Sequence, residues 1–235
     1  MNLENKLSHT RALLQEIAAN EASVVLANSL GAEDMVLTDL IADMCLPIGI
    51  FSLDTGRLPA QTYDLMQVMA EHYPAYPLQV FFPDTQATET WVAQHGMNAF
   101  YQSVELRKAC CEVRKLQPLR RALAGHSAWV TGLRREQSVT RSDMSEREPD
   151  TVHGLMKYSP LLDWSEADVW AYIRQHGVPY NALHDQHYPS IGCAPCTRAI
   201  SAGEDVRAGR WWWENPESKE CGLHGKVSLL KSASA

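Results

Sequence analysis

The sequence predicts an α/β fold, a parallel sheet flanked by helices over residues 1–210, followed by a mobile tail over 211–235. Three observations predict it. Short apolar runs of strand length alternate with segments whose apolar residues recur at helical spacing, the pattern of a parallel sheet and its crossovers. At 235 residues and 45% hydrophobic content, the chain suits one substantial core. Beyond Asp185 glycine and proline interrupt regularity, and the last stretch holds three consecutive tryptophans and a cysteine without periodicity.

The elements follow in order. Leu7, Leu13, Leu14 and Ile17 mark a helix from about Leu3 to Ala19, and Ser23 to Ala27 is a buried strand. A turn leads into a helix from about Ala32 to Met44. Ile48 to Ser52 is a second strand, and Pro59 opens a helix toward His72, since a first helical turn accepts proline. Leu78 to Phe82 is a third strand, with a helix near Thr88 to His95 behind it. Helical patterning resumes over Val104 to Leu123, and Ser127 to Thr131 is a further strand. A polar, arginine-rich loop from Arg134 to Asp150 precedes a strand near Gly154 to Tyr158. Ser165, with Asp168 three residues on, has the form of a capped helix start.

A net charge of −7 excludes a general nucleic-acid or membrane-surface binder, because either needs a broad basic face. The segment from Met1 to Lys6 lacks the basic start and apolar run of a secretory signal, and no stretch approaches the roughly 18 apolar residues of a membrane span. A soluble, cytoplasmic protein is expected, with neither nucleic acid nor membrane as partner. Thiols stay reduced there, so six cysteines point to metal binding or catalysis more than to disulfides.

Cys110-Cys111 and Cys193-Ala194-Pro195-Cys196 are far apart in sequence but can meet in a fold. Neighbouring side chains on a helix diverge by about 100 degrees, which suits two metals of a cluster better than one tetrahedral zinc. A [4Fe-4S] cluster on four thiolates is therefore preferred, with structural zinc and unliganded thiols as the alternatives. Cys45, at the end of an apolar helix, is expected to be a small buried hydrophobe. Cys221, in Glu220-Cys221-Gly222-Leu223-His224-Gly225, is either a mobile nucleophile whose pKa His224 lowers or an idle thiol.

Ser29-Leu30-Gly31-Ala32-Glu33-Asp34 joins the first strand to the following helix, where backbone N–H groups and the helix dipole can bind an anion. Leu53-Asp54-Thr55-Gly56-Arg57 ends the second strand on the same edge, so both turns can border one crevice. Lys115 lies one helical turn after Cys111. Gly132, Arg134 and Arg135 follow a strand end, with Arg141 beyond them, and Arg207 and Arg210 share a face if that segment is helical. In an acidic chain this set forms a focused anion site, although each residue singly reads as a surface charge. The run Trp211-Trp212-Trp213 is expected to pack the root of the tail onto the core.

Together these pieces, in this order from about Ser23 to Gly225, resemble the adenylyl-sulfate reductase branch of the sulfonucleotide reductases. The resemblance implies an adenine-nucleotide-hydrolase-like, Rossmann-like fold. It implies reduction of adenylyl sulfate to sulfite and AMP, with electrons from thioredoxin or a glutaredoxin-like donor, and a cluster that does not itself pass them. Ser29, Gly31, Leu53, Asp54, Gly132, Arg134, Arg135 and Arg141 would line the nucleotide. Lys115 matches the family's cluster-contacting lysine, and Arg207 and Arg210 its phosphosulfate-binding arginines.

Relatives on the same fold that cleave pyrophosphate carry a Ser-Gly-Gly-x-Asp-Ser loop, absent here, which argues against ATP cleavage. The nearest rival is a reductase of the 3'-phosphorylated nucleotide, whose members generally lack the four-cysteine set. An iron–sulfur tRNA thiolase fits the acidic charge poorly, and a redox-sensing module leaves the nucleotide-side turns unexplained. A homo-oligomer is compatible with the sequence.

Overall fold

The computed structural model describes residues 2–137 and 144–215. Its sheet has six strands in the order β3-β2-β1-β4-β6-β5, with β1 Val24–Ala27, β2 Gly49–Leu53, β3 Leu78–Phe81, β4 Ala128–Val130, β5 Arg147–Asp150 and β6 Leu155–Tyr158. Every pairing is parallel except that of β5 with β6. The apolar runs that read as strands are those enclosed on both faces, as parallel strands are. Val24, Val25, Leu26, Ile50, Phe51, Ala128, Trp129 and Val130 are all buried.

Helices cover the sheet. They are α1 Leu3–Asn20, α2 Ala32–Asp43, α3 Ala60–His72, α4 Thr85–His95, α5 Val104–Cys111, α6 Gln117–Leu123 and α7 Glu166–His176. The main core lies between β1 and β4 on one side and α1, α2 and α7 on the other, with Leu14, Leu26, Met35, Leu40 and Tyr172 at its centre. Ser165 and Asp168 close a reciprocal capping box at the start of α7, as expected. Among the described residues no helix is long and apolar enough to cross a membrane.

Four local expectations are corrected. Helix α4 starts at Thr85, not near Thr88, because the Asp84 carboxylate accepts from Ala87 N at 2.8 Å and caps it earlier. The expected loop from Arg134 to Asp150 contains β5, whose polar residues pair along the sheet edge, where Pro149 is tolerated. The helical run over Val104–Leu123 is not one α-helix, since residues Glu112–Leu116 form a π-helical turn between α5 and α6. Pro118 explains this: it has no N–H to offer the Arg114 carbonyl, so the Gln117 N–H reaches back to Glu112 O instead. Cys45 is exposed with φ 51°, because the chain turns left-handed after α2 and buries Leu46 in its place.

The strand order reverses between β1 and β4. Such a switch point opens a crevice outside the carboxyl ends of the strands, the usual ligand position in open α/β sheets.

Candidate active site

A cleft of about 270 Å³ occupies that crevice. Ser29 and Gly31 reach it from the turn after β1, Leu53 and Thr55 from the end of β2, and Gly132 and Arg134 from the end of β4. The β1 turn is organised by a residue whose part the sequence did not reveal. Asp34 accepts from Ser29 N at 2.7 Å, Ser29 Oγ at 2.6 Å and Gly132 N at 3.1 Å, tying the first and fourth strand ends together. Burial, opposed by these three donors, pushes its carboxyl up to about 6.

Gly132 is needed for that closeness, since a Cβ there would strike Asp34 Oδ1 and Cβ of Glu33. Gly132→Ala is therefore expected to destabilise the fold by about 1–3 kcal/mol and to weaken AMP binding. Thermal melting and AMP titration check this, and both unchanged would contradict it.

The expected nucleotide residues divide. Asp54 does not line the cleft: it accepts from Gly56 N at 2.7 Å and Tyr63 Oη at 2.9 Å and shapes the β2 turn. Arg134 lines the cleft with its charge engaged, its Nε donating to Glu33 Oε1 at 2.8 Å. Arg135 is carried away from the cleft toward Asp163, at 3.1 Å, and the Met144 carbonyl, at 3.0 Å. Arg141, Cys221 and His224 lie outside the described residues.

Arg207 and Arg210 are not on a helix. The segment is a series of turns ended by a bridge between Arg210 and Thr197, yet both arginines line the cleft. Arg210 is seated closely: a Cβ at Gly192 would collide with its guanidinium, and its Nη1 donates to Ile191 O at 3.2 Å. His184, unremarked in the sequence, also lines the cleft. Burial lowers its pKa, and among the described residues its Nε2 has no hydrogen-bond partner.

Behind this cleft lies a second, smaller cavity lined by Cys110, Cys111, Cys193 and Cys196. The first two close α5, just before the π-helical turn. The others sit on a loop held by Ala194 N, which donates to Arg57 O at 2.8 Å, and by a 3.2 Å contact between Thr55 Oγ1 and Cys193 Sγ. Thus the turn after β2 brings the two cysteine pairs together. Lys115 and Arg210 line both cavities and form a cationic partition between them. Burial raises the Cys110 thiol and pushes Cys196 up to about 12, while Lys115 favours the thiolate of each. Among the described residues, no three His, Cys, Asp or Glu side chains are arranged to hold a single metal ion.

The tail root is bound here too. Trp211 is buried against the guanidinium groups of Arg107 and Arg210, at 4.6 and 4.7 Å from its ring centroid, whereas Trp212 is 40% exposed. Arg107 holds Glu214 through two hydrogen bonds of 2.9 and 2.8 Å, with both side chains almost wholly buried.

The phosphoadenosine phosphosulfate reductase domain family matches residues 23–199. The chain is 59% identical to an adenosine 5'-phosphosulfate reductase of Allochromatium vinosum, over 95% of this chain and 87% of that protein. It also resembles, at 56% identity, one from Burkholderia cepacia, over 94% and 88% of the respective chains. Among solved structures, a phosphoadenylyl-sulfate reductase from Candida auris in complex with phosphate superposes with a TM-score of 0.70 and 25% identity, over 84% of this chain and 96% of that one.

Proposed function

The chain belongs to the phosphoadenosine phosphosulfate reductase domain family, and we propose that it reduces its substrate through a covalent intermediate on Cys221. The substrate is adenylyl sulfate and the reaction its reduction to sulfite in sulfate assimilation. Above all, the partition of Lys115 and Arg210 between the nucleotide cleft and the four cysteines supports the reading of the site.

The nucleotide's adenosine end occupies the crevice formed by the β1, β2 and β4 turns, and its phosphosulfate meets Lys115, Arg207 and Arg210. The Cys221 thiolate attacks the sulfonate sulfur, the sulfur–oxygen bond to phosphate breaks, and AMP departs with that electron pair. Charge gathers on the departing phosphate oxygen, where fixed cations stabilise it most. This leaves an S-sulfonated Cys221. A thiolate of a dithiol donor, thioredoxin or a glutaredoxin-like protein, then attacks the Cys221 sulfur and expels sulfite. The donor's second thiol resolves the mixed disulfide, so the dithiol supplies both electrons. His224 lowers the Cys221 pKa in this scheme.

Cys110, Cys111, Cys193 and Cys196 would hold a [4Fe-4S] cluster. Four thiols around one cavity, Cys111 and Cys196 buried and Cys110 and Cys193 half-buried, with cations beside them that favour thiolate, fit a polynuclear centre carrying net negative charge. When bound, the cluster supplies a fixed charged centre beside Lys115 and does not carry the reducing electrons. The reaction is assigned to the cytoplasm, where reduced dithiol donors are maintained.

Comparison of kcat/KM for adenylyl sulfate and its 3'-phosphorylated form tests the substrate. Adenylyl sulfate is expected to be preferred by at least about a hundredfold, the scale at which an ill-matched charged group is rejected. Equal or reversed values would transfer the chain to the rival reductase class.

A further inference from the structure

Arg210 is buried at the wall of the cleft. Its Nη1 lies 3.3 Å from Ser190 Oγ and 3.2 Å from the Ile191 carbonyl. The indole ring of Trp211 lies against it, its centroid 4.7 Å from the guanidinium carbon. Trp211 is itself almost wholly buried. Its ring also meets Arg107, whose guanidinium lies 4.6 Å from the centroid and is fixed in place by the buried Glu214 carboxylate. Its backbone N–H donates to the Cys196 carbonyl at 3.1 Å. Its backbone φ is 42°, in the left-handed region that bulky residues avoid unless the surroundings impose it.

We propose that Trp211 is a positioning residue for Arg210, a rigid aromatic plate that holds the guanidinium at the sulfonated end of the substrate. The backbone of Trp211 is tied to the second cysteine pair through the Cys196 carbonyl, and the residue lines both the cleft and the cysteine cavity. The order of the cysteine loop is thereby passed to the anion site by a packed ring rather than by a bond to substrate. This rests on the reading of Arg210 as a substrate-binding residue.

The test is a double-mutant cycle on the full chain with its iron–sulfur cluster, in a Cys221→Ser background so that no chemistry intervenes. Affinities for adenylyl sulfate and for adenosine are measured for the parent, Trp211→Leu, Arg210→Ala and the double variant. Loss of a desolvated cation–π contact predicts about tenfold weaker adenylyl sulfate binding in Trp211→Leu. Adenosine affinity and the cluster's visible absorption are expected to be unchanged, and Trp211→Leu is expected to add nothing on the Arg210→Ala background.

Losses that multiply in the double variant, or an equal loss for adenosine, overturn the proposal and leave the Arg210 reading intact. If Arg210→Ala alone leaves adenylyl sulfate affinity unchanged, that reading fails and this one with it. Should Trp211→Leu not retain its cluster, Trp211→Phe takes its place, with about a threefold loss expected because a smaller π face remains. A loss that persists on the Arg210→Ala background then overturns the proposal.

Discussion

Cys221→Ser is expected to reduce sulfite formation from adenylyl sulfate by at least about a thousandfold, because a serine hydroxyl is almost wholly protonated at neutral pH and is a poor nucleophile toward sulfur. The cluster's visible absorption and the affinity for AMP should be unchanged, since the described residues place both the cysteine cavity and the nucleotide cleft in the body of the fold. That combination separates a nucleophile from a structural thiol. Loss of the cluster in this variant would assign Cys221 to the metal site instead, and undiminished sulfite release would remove it from the chemistry.

The second large effect concerns Lys115. Its ammonium lines both cavities, with the leaving phosphate's gathering charge on one side and the four cysteines on the other. Lys115→Met keeps most of the aliphatic stem and removes the cation. It is expected to lower kcat/KM by about a hundredfold to a thousandfold, the usual consequence of deleting one preorganised group from a charge-stabilising site. Adenosine binding should be little altered. Steady-state sulfite assays with a parallel adenosine titration check this, and a loss below about threefold would mean that Arg207 and Arg210 suffice.

What the sequence reveals of this molecule follows from burial. The strands β1, β2 and β4 are apolar because both their faces are covered, so they are legible from residue type alone. Strand β5 is not, since Arg147, Glu148 and Asp150 read as loop, and only pairing with β6 gives them extended structure. The π-helical turn had a visible signal in Pro118, set within an otherwise helical pattern. Its consequence for Lys115 was still hidden: the four residues from Cys111 to Lys115 run into a π-helical turn and not along a regular α-helix, yet Lys115 lines the cysteine cavity.

The candidate site divides in the same way. The cysteine pairs are legible because that residue type and spacing have few other uses. Charged residues are harder to place, because what decides their part is the partner. Arg134 and Arg135 are neighbours in sequence, but Glu33 draws one to the cleft and Asp163 draws the other away. Asp34 reads as an ordinary acid in a first helical turn, and only the fold brings Gly132 N to it across 98 residues. Trp211 reads as core packing, which it is. Nothing in its neighbouring residues shows that two guanidinium groups, those of Arg107 and Arg210, lie against its ring.

The covalent route is tested most directly by incubating the full chain with adenylyl sulfate in the absence of any dithiol, then measuring intact mass and mapping peptides. One sulfonate per chain, on the peptide that carries Cys221 and released as sulfite when thioredoxin is added, is the predicted result. Release of AMP with that peptide unmodified, or a sulfonate on another cysteine, would contradict it.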